Sequence, residues 1–314
     1  MKNALTGTIL RHAGLPSSLG KLRDIRMNDP SLAAVLDFDT PLLVLHEGTT
    51  HGEGPVWDQA RNRLVWSDVI SRRLMAWHPD GRVHTIIDPT WFMNGNALLS
   101  DGIMAHCEHG RRCISLSSGE GEALPAITHY QGGRLNSPND IVTGAQDTIW
   151  FTDPVFGIHS AAEGYIAEPE LPHRSVYRYR RRTGELTRMA DFDQPNGLAF
   201  SQDGRTLYVS DTSRAIGGGT HHIFAFDVRD DGHLDNQRTL YETAKGVPDG
   251  FAVDARNWIW TTAGDGIHIL DLNGVCLGFI PLPEVPANCT FGGTNGRRFF
   301  IATKTRLLAI DLRI

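Results

Sequence analysis

Four oxygen-bearing side chains recur at one place in a repeated pattern: Glu53 in GEGPVWD, Asn139 in SPNDIVT, Asn196 in QPNGLAF and Asp249 in VPDGFAV. Two further units open on Asn96 in NGNALLS and Asn288 in PANCTFG. Two carboxylates and two amides form a donor set suited to a hard divalent cation, because both charges of the ion are balanced and every ligand is oxygen. No His or Cys occupies any of the six positions, which argues against a closed structural zinc site. Calcium leads among the candidate ions, with magnesium, manganese and catalytic zinc behind it. Glu53, between Gly52 and Gly54, is the donor least explained by local geometry, since Glu is a poor turn residue. Six ligands are too many for one ion that must also meet substrate and water. Asn96 and Asn288 are therefore read as turn or channel-lining residues.

The units that carry these residues return at intervals of 43, 43, 57, 53 and 39 residues, close to the period of about 40–50 residues of a β-propeller blade. Each opener is followed by an apolar strand, a polar turn and a second strand rich in β-branched and aromatic residues: RLVWSD (63–68), TIWFTD (148–153), TLYVSD (206–211), WIWTTA (258–263) and RFFIAT (298–303). Outer strands follow in SVYRYR (175–180), HIFAFDV (222–228) and GIHILDL (266–272). The fold expected is all-β, a six-bladed propeller with four-stranded blades whose innermost strands bring the openers to one channel mouth. Open edges would invite pairing with other chains, so the ring must close. PLLVLHEG (41–48) is placed to pair with RLLAIDL (306–312) in the last blade. Residues 41–314 are expected to form the propeller domain, and residues 1–40 an arm packing on its rim. The stretch 153–174 has little strand pattern and leaves the end of TIWFTD, so it should overhang the same face as the openers, as a lid would.

Composition narrows the partners. Thirty Lys and Arg against 36 Asp and Glu give a formal charge of −6 with no basic block, which points away from nucleic acid and anionic membranes and toward a small-molecule ligand. No apolar run reaches the length of a membrane span and no signal-peptide core is evident, so the location expected is cytoplasmic. The cysteines Cys107, Cys113, Cys276 and Cys289 form no CxxC pair and are expected to be free thiols. The oligomeric state is left open.

Taken together, EGPVW, RLNSPNDIV, IWFTDP, QPNGLAFSQDGRTLYVSD, VPDGFAVD and PANCTFGG resemble the gluconolactonase and senescence marker protein (regucalcin) family over about residues 40–312. The resemblance implies one central divalent cation held by Glu53, Asn139, Asn196 and Asp249, and hydrolysis of sugar lactones such as glucono-1,5-lactone to aldonic acids. The cation would polarise the lactone carbonyl, with either Asp249 or a metal-bound hydroxide activating water. Arg134, Asn136 and His109 are candidates for substrate contact. The spacing of Arg134 from Asn139 differs from the shorter RxND motif of relatives. His106 is a second histidine near the same strand end, and Asp68, Asp153 and Asp211 close their second strands as capping residues. Two rivals share the scaffold: a phosphotriesterase-type hydrolase and a non-catalytic calcium-binding propeller.

Overall fold

The structure, a computed structural model, describes residues 16–22 and 24–313. Its strands form six antiparallel sheets arranged as a propeller, with a separate short ribbon of His129–Tyr130 and Gly133–Arg134. The innermost strands are Gly52–Asp58, Met93–Leu98, Ile141–Gly144, Pro195–Phe200, Phe251–Val253 and Pro286–Gly292, which begin blades one to six. The second strands are the buried ones. Arg63–Asp68 and Thr148–Asp153 are inaccessible along their whole length, because both faces of a central strand meet neighbouring blades.

Aromatic side chains fill the seams between blades. Trp66 and Trp77 of blade one pack with Phe300 and Leu307 of blade six, and Phe151 and Tyr177 of blade three pack with Cys107 and Ile114 of blade two. A fully buried Trp removes roughly 200 Å² from water, worth about 5 kcal/mol of gross transfer free energy before chain entropy is counted.

The ring closes through Pro41–Glu47, which pairs antiparallel with Arg306–Asp311; Val44 lies opposite Leu308 and His46 opposite Leu307. Upstream residues extend this closure. Ser17–Lys21 adds a further strand outside Pro41–Glu47, while Arg26–Met27 pairs with Cys276–Pro281 of blade five. Leu32 and Leu36 are buried in a cluster that includes Trp260 and Phe299. Residues 17–36 thus tie blade five to blade six; the beginning of the expected arm lies outside the described residues. All four cysteines are free. Among the described residues no helix is long and apolar enough to cross a membrane.

Strand register corrects the alignment of two blades. Gly52 lies opposite Asp68, Met93 opposite Glu108, Pro195 opposite Asp211 and Pro286 opposite Thr303, and the register shifts just after each of these pairs or one residue later. The residue that follows each is the true opener: Glu53, Asn94, Asn196 and Ala287. Asn96 lies two positions deeper than the opener of its blade, and Asn288 one. In NGN two asparagines flank Gly95 and either satisfies the pattern, whereas in PAN a small alanine hides the equivalent position.

Candidate metal centre

The ring is tight because the residue after the opener is glycine in four blades. A Cβ on Gly54 would lie 2.3 Å from Asn94 O, one on Gly95 2.7 Å from Asn139 O, and one on Gly197 2.3 Å from Asp249 O. Hydrogen bonds run blade to blade at the same level. Ser67 Oγ donates to Asn94 O at 2.7 Å, Gly95 N to Asn139 O at 2.8 Å, Ser210 Oγ to Asp249 O at 2.9 Å and Gly250 N to Ala287 O at 2.8 Å. The strand starts that carry Glu53, Asn139, Asn196 and Asp249 are thereby fixed by backbone contacts rather than by loops.

Two amides are turned by their neighbours. Asn139 directs Nδ2 at His109 Nε2, 3.5 Å away, and Asn196 directs Nδ2 at Thr212 Oγ1, 3.4 Å away. His109 donates Nδ1–H to the Glu163 carbonyl at 3.1 Å, which leaves Nε2 as an acceptor, and burial pushes its pKa down so that it stays neutral. Both amides therefore keep their carbonyl oxygens free for a cation. Glu53 is buried, with Oε2 accepting Gly54 N at 3.3 Å and Oε1 lying 3.5 Å from His51 Nε2. Burial, and after it the charge of Glu53, pushes the Asp249 carboxyl well above the ordinary carboxylate range. The two carboxylates at this mouth are only partly balanced by His51, which Glu163 shares, and a divalent cation would supply the remaining counter-charge. Among the described residues no group of three or more His, Cys, Asp or Glu side chains is placed to hold a metal. An ion here must use amide oxygens as well, as a calcium-type oxygen set does.

Beneath the mouth lies a second polar layer. Asp140, raised to about 7 by burial, accepts Ile141 N at 2.9 Å and Asn288 Nδ2 at 3.4 Å. Asn96 donates to Gly54 O, Ser67 Oγ and Asn94 O, and its Oδ1 takes the proton of His106 Nδ1 at 2.6 Å. His106 Nε2 is 2.8 Å from Ser117 Oγ, and burial lowers its pKa to about 3. Asn96 and His106 are thus bracing residues. A cavity of about 590 Å³ continues along the innermost strands, from Gly54, Asp140 and Asn288 to Trp57, Gln202 and Phe291.

The insert after Asp153 packs against the mouth. Its short helix Phe156–His159 presses Gly157 on His109, where a Cβ would come within 2.4 Å of His109 Cβ. Glu163 Oε1 lies 3.5 Å from His51 Nδ1. Burial alone would lower the His51 pKa, but the carboxylates of Glu163 and Glu53 outweigh it and raise it to about 10. His51 and Glu163 were not legible as site residues. His51 shares the strand face of Glu53 by its two-residue spacing, a signal that could have found it, whereas nothing local marks Glu163.

Of the three candidates for substrate contact, the structure sets two in the segment before Asn139 and one beside the ring. Arg134 sits in the outer ribbon, its guanidinium donating to Arg111 O at 3.0 Å and its backbone N–H to Glu170 Oε2 at 2.9 Å. Asn136 is wholly buried and clasps both ends of the insert, donating Nδ2 to Asp153 O at 3.3 Å and to His173 O at 3.0 Å. His109 is brought to the ring, but buried under the insert with both nitrogens engaged, so it orients Asn139. Asp68, Asp153 and Asp211 cap the backbone leading to their openers; Asp153, for example, accepts Asn136 N at 2.8 Å and Ser137 N at 2.9 Å.

Residues 51–305 match the family described as "SMP-30/Gluconolactonase/LRE-like region". A solved gluconolactonase from Xanthomonas campestris is 43% identical, with a TM-score of 0.90 and coverage of 97% of this chain and 99% of that one. The gluconolactonase of Zymomonas mobilis is 30% identical over 94% of this chain and 86% of its own length, and a 6-deoxy-6-sulfogluconolactonase of Pseudomonas putida is 28% identical over 84% and 87%. With its six blades, its ring of oxygen donors and these matches, the chain belongs to the SMP-30/gluconolactonase/LRE-like family.

Proposed function

We propose that this protein hydrolyses sugar lactones of the glucono-1,5-lactone type to aldonic acids, using a divalent cation, calcium foremost, held by Glu53, Asn139, Asn196 and Asp249. The observation that carries the reading is the convergence of the buried Glu53 and the half-buried Asp249 carboxylates with two amides whose NH2 groups are already turned away, by His109 and Thr212. Relatives bearing gluconolactonase names support the substrate class. When bound, the cation supplies a Lewis acid for the lactone carbonyl and for the negative charge that develops on its oxygen.

The protein's own groups do the rest. Asp249 takes a proton from the attacking water as the new C–O bond forms at the carbonyl carbon, a contribution of about 10²–10⁴-fold for a well-placed base. As the ring C–O bond breaks, Asp249 returns that proton to the departing ring oxygen, leaving an open-chain hydroxy acid. His109 and Thr212 hold the amides, and the insert shelters the mouth from bulk water through Gly157 and Glu163. The test is a turnover panel of aldonolactones and a phosphotriester, run with chelated protein and after addition of calcium, magnesium, manganese or zinc. Lactone turnover restored by a divalent ion is the expected result, and its absence with every ion refutes the reading.

A further inference from the structure

Strand register places Asn94, not Asn96, at the mouth position of blade two, level with Glu53 and Asn196, and with Asn139 and Asp249, whose backbone N–H groups meet Thr152 and Thr262 of their second strands. Its backbone is pinned there, since Asn94 O accepts Ser67 Oγ at 2.7 Å and Asn96 Nδ2 at 3.1 Å. Asn94 is only 4% exposed, yet its Oδ1 has no hydrogen-bond donor. An amide oxygen buried without a donor is destabilising, and the nearby donors of Ser67 and Asn96 are already committed to backbone carbonyls. The sixth blade offers Ala287, which has no donor atom, so the asymmetry of the ring lies there and not in blade two.

We infer that Asn94 Oδ1 is a fifth oxygen donor to the cation, and that this fifth donor sets the site for calcium over magnesium or zinc. The inference rests on the metal-site reading above. Calcium takes six to eight oxygens at flexible distances, magnesium demands a compact octahedron that keeps several waters, and zinc settles for about four ligands. Five side-chain oxygens with room for substrate and water reach the calcium range. Four do not distinguish the ions.

The experiment measures calcium, magnesium and zinc affinities of chelated full-length protein by calorimetric titration, for wild type, Asn94→Ala, Asn94→Asp and Glu53→Gln. Asn94→Ala should weaken calcium by roughly 10-fold or more while changing magnesium and zinc by less than about 3-fold, and Asn94→Asp, which keeps an oxygen and the shape, should hold calcium more tightly than Asn94→Ala. Because Asn94→Asp is nearly isosteric, it reports even if the alanine variant fails to fold. Unchanged calcium affinity in Asn94→Ala, with only its melting temperature lowered, assigns Asn94 a hydrated structural role and overturns the inference; an equal loss for all three ions overturns the selectivity claim. If Glu53→Gln also leaves calcium affinity unaltered, the metal-site reading itself fails, whereas a loss in Glu53→Gln alone leaves that reading standing without Asn94.

Discussion

Replacing Gly197 with Ala tests whether the ring is as tight as its geometry indicates. The added methyl would stand 2.3 Å from Asp249 O and 2.9 Å from Gly250 Cα, whereas ordinary contact begins at 3.4 Å, so the strands of blades four and five must part by about 1 Å. Both obstacles are backbone, and Asp249 O is also held by Ser210 Oγ, so neither can swing aside as a side-chain end would. The φ of Gly197 lies outside the left-handed region, so Ala itself is conformationally tolerated and would by itself stabilise by about 0.4–1 kcal/mol through the unfolded chain. Overpacking costs about 1–3 kcal/mol, and it wins. The same displacement separates Asn196 from Asp249, and a shift of this size at a reacting centre lowers turnover by about 10²-fold. Urea denaturation reads the first effect and lactone turnover the second, with cation titration of Gly197→Ala reporting the parting of Asn196 from Asp249. Gly204→Ala is the control: its φ is +70° with open space around the new methyl, so it costs about 1 kcal/mol of local strain and leaves cation affinity intact. A Gly197→Ala protein as stable as wild type, with normal cation affinity, would show that the strands of blades four and five are not held in tight contact at Gly197.

Asn136→Ala removes the two hydrogen bonds that clasp the insert and should cost about 1–3 kcal/mol, with faster proteolytic cleavage within 154–173 but unchanged cation affinity; limited proteolysis followed by mass spectrometry checks it. Arg63 is buried and bridges blade one to blade two through Asp58, Glu120 and the Gly119 carbonyl, so Arg63→Met should lose about 3–5 kcal/mol in urea denaturation, and adding Asp58→Asn should recover part of the loss. His106 has a folded pKa of about 3 against about 6.5 unfolded, so between these values only the unfolded chain binds its proton and stability falls as pH drops below 6.5. His106→Phe should flatten that decline by up to about 1.4 kcal/mol per pH unit, measured from urea midpoints at pH 7, 6 and 5.

The ring and its closure were legible because their signals are local and periodic. Second strands such as TIWFTD and TLYVSD carry the residues of buried strands, and the pairing of 41–48 with 306–312 follows from the need to remove an edge. The outer latch was not legible: Ser17–Lys21 is exposed along its whole length, so no alternation marks it as a strand. Within the ring, the register of blade two was ambiguous in NGN, and only the pairing of Met93 with Glu108 separates Asn94 from Asn96. The contacts of Arg134 and Asn136 were not legible for a different reason. They stand near Asn139 in sequence, but the chain turns between them, capped by Asp153, which sets Arg134 in a two-stranded ribbon and Asn136 in a clasp. The contacts of Glu163 with His51 and His109 join segments far apart in sequence, and no periodicity encodes them.

Anomalous diffraction from crystals of the protein grown with calcium shows whether the four openers hold one divalent cation. One peak is expected at the channel mouth, with oxygens of Glu53, Asn139, Asn196 and Asp249 at about 2.3–2.6 Å. A mouth without a peak at saturating calcium, or a peak that persists unchanged in Glu53→Gln/Asp249→Asn, would mean that these residues do not hold the ion.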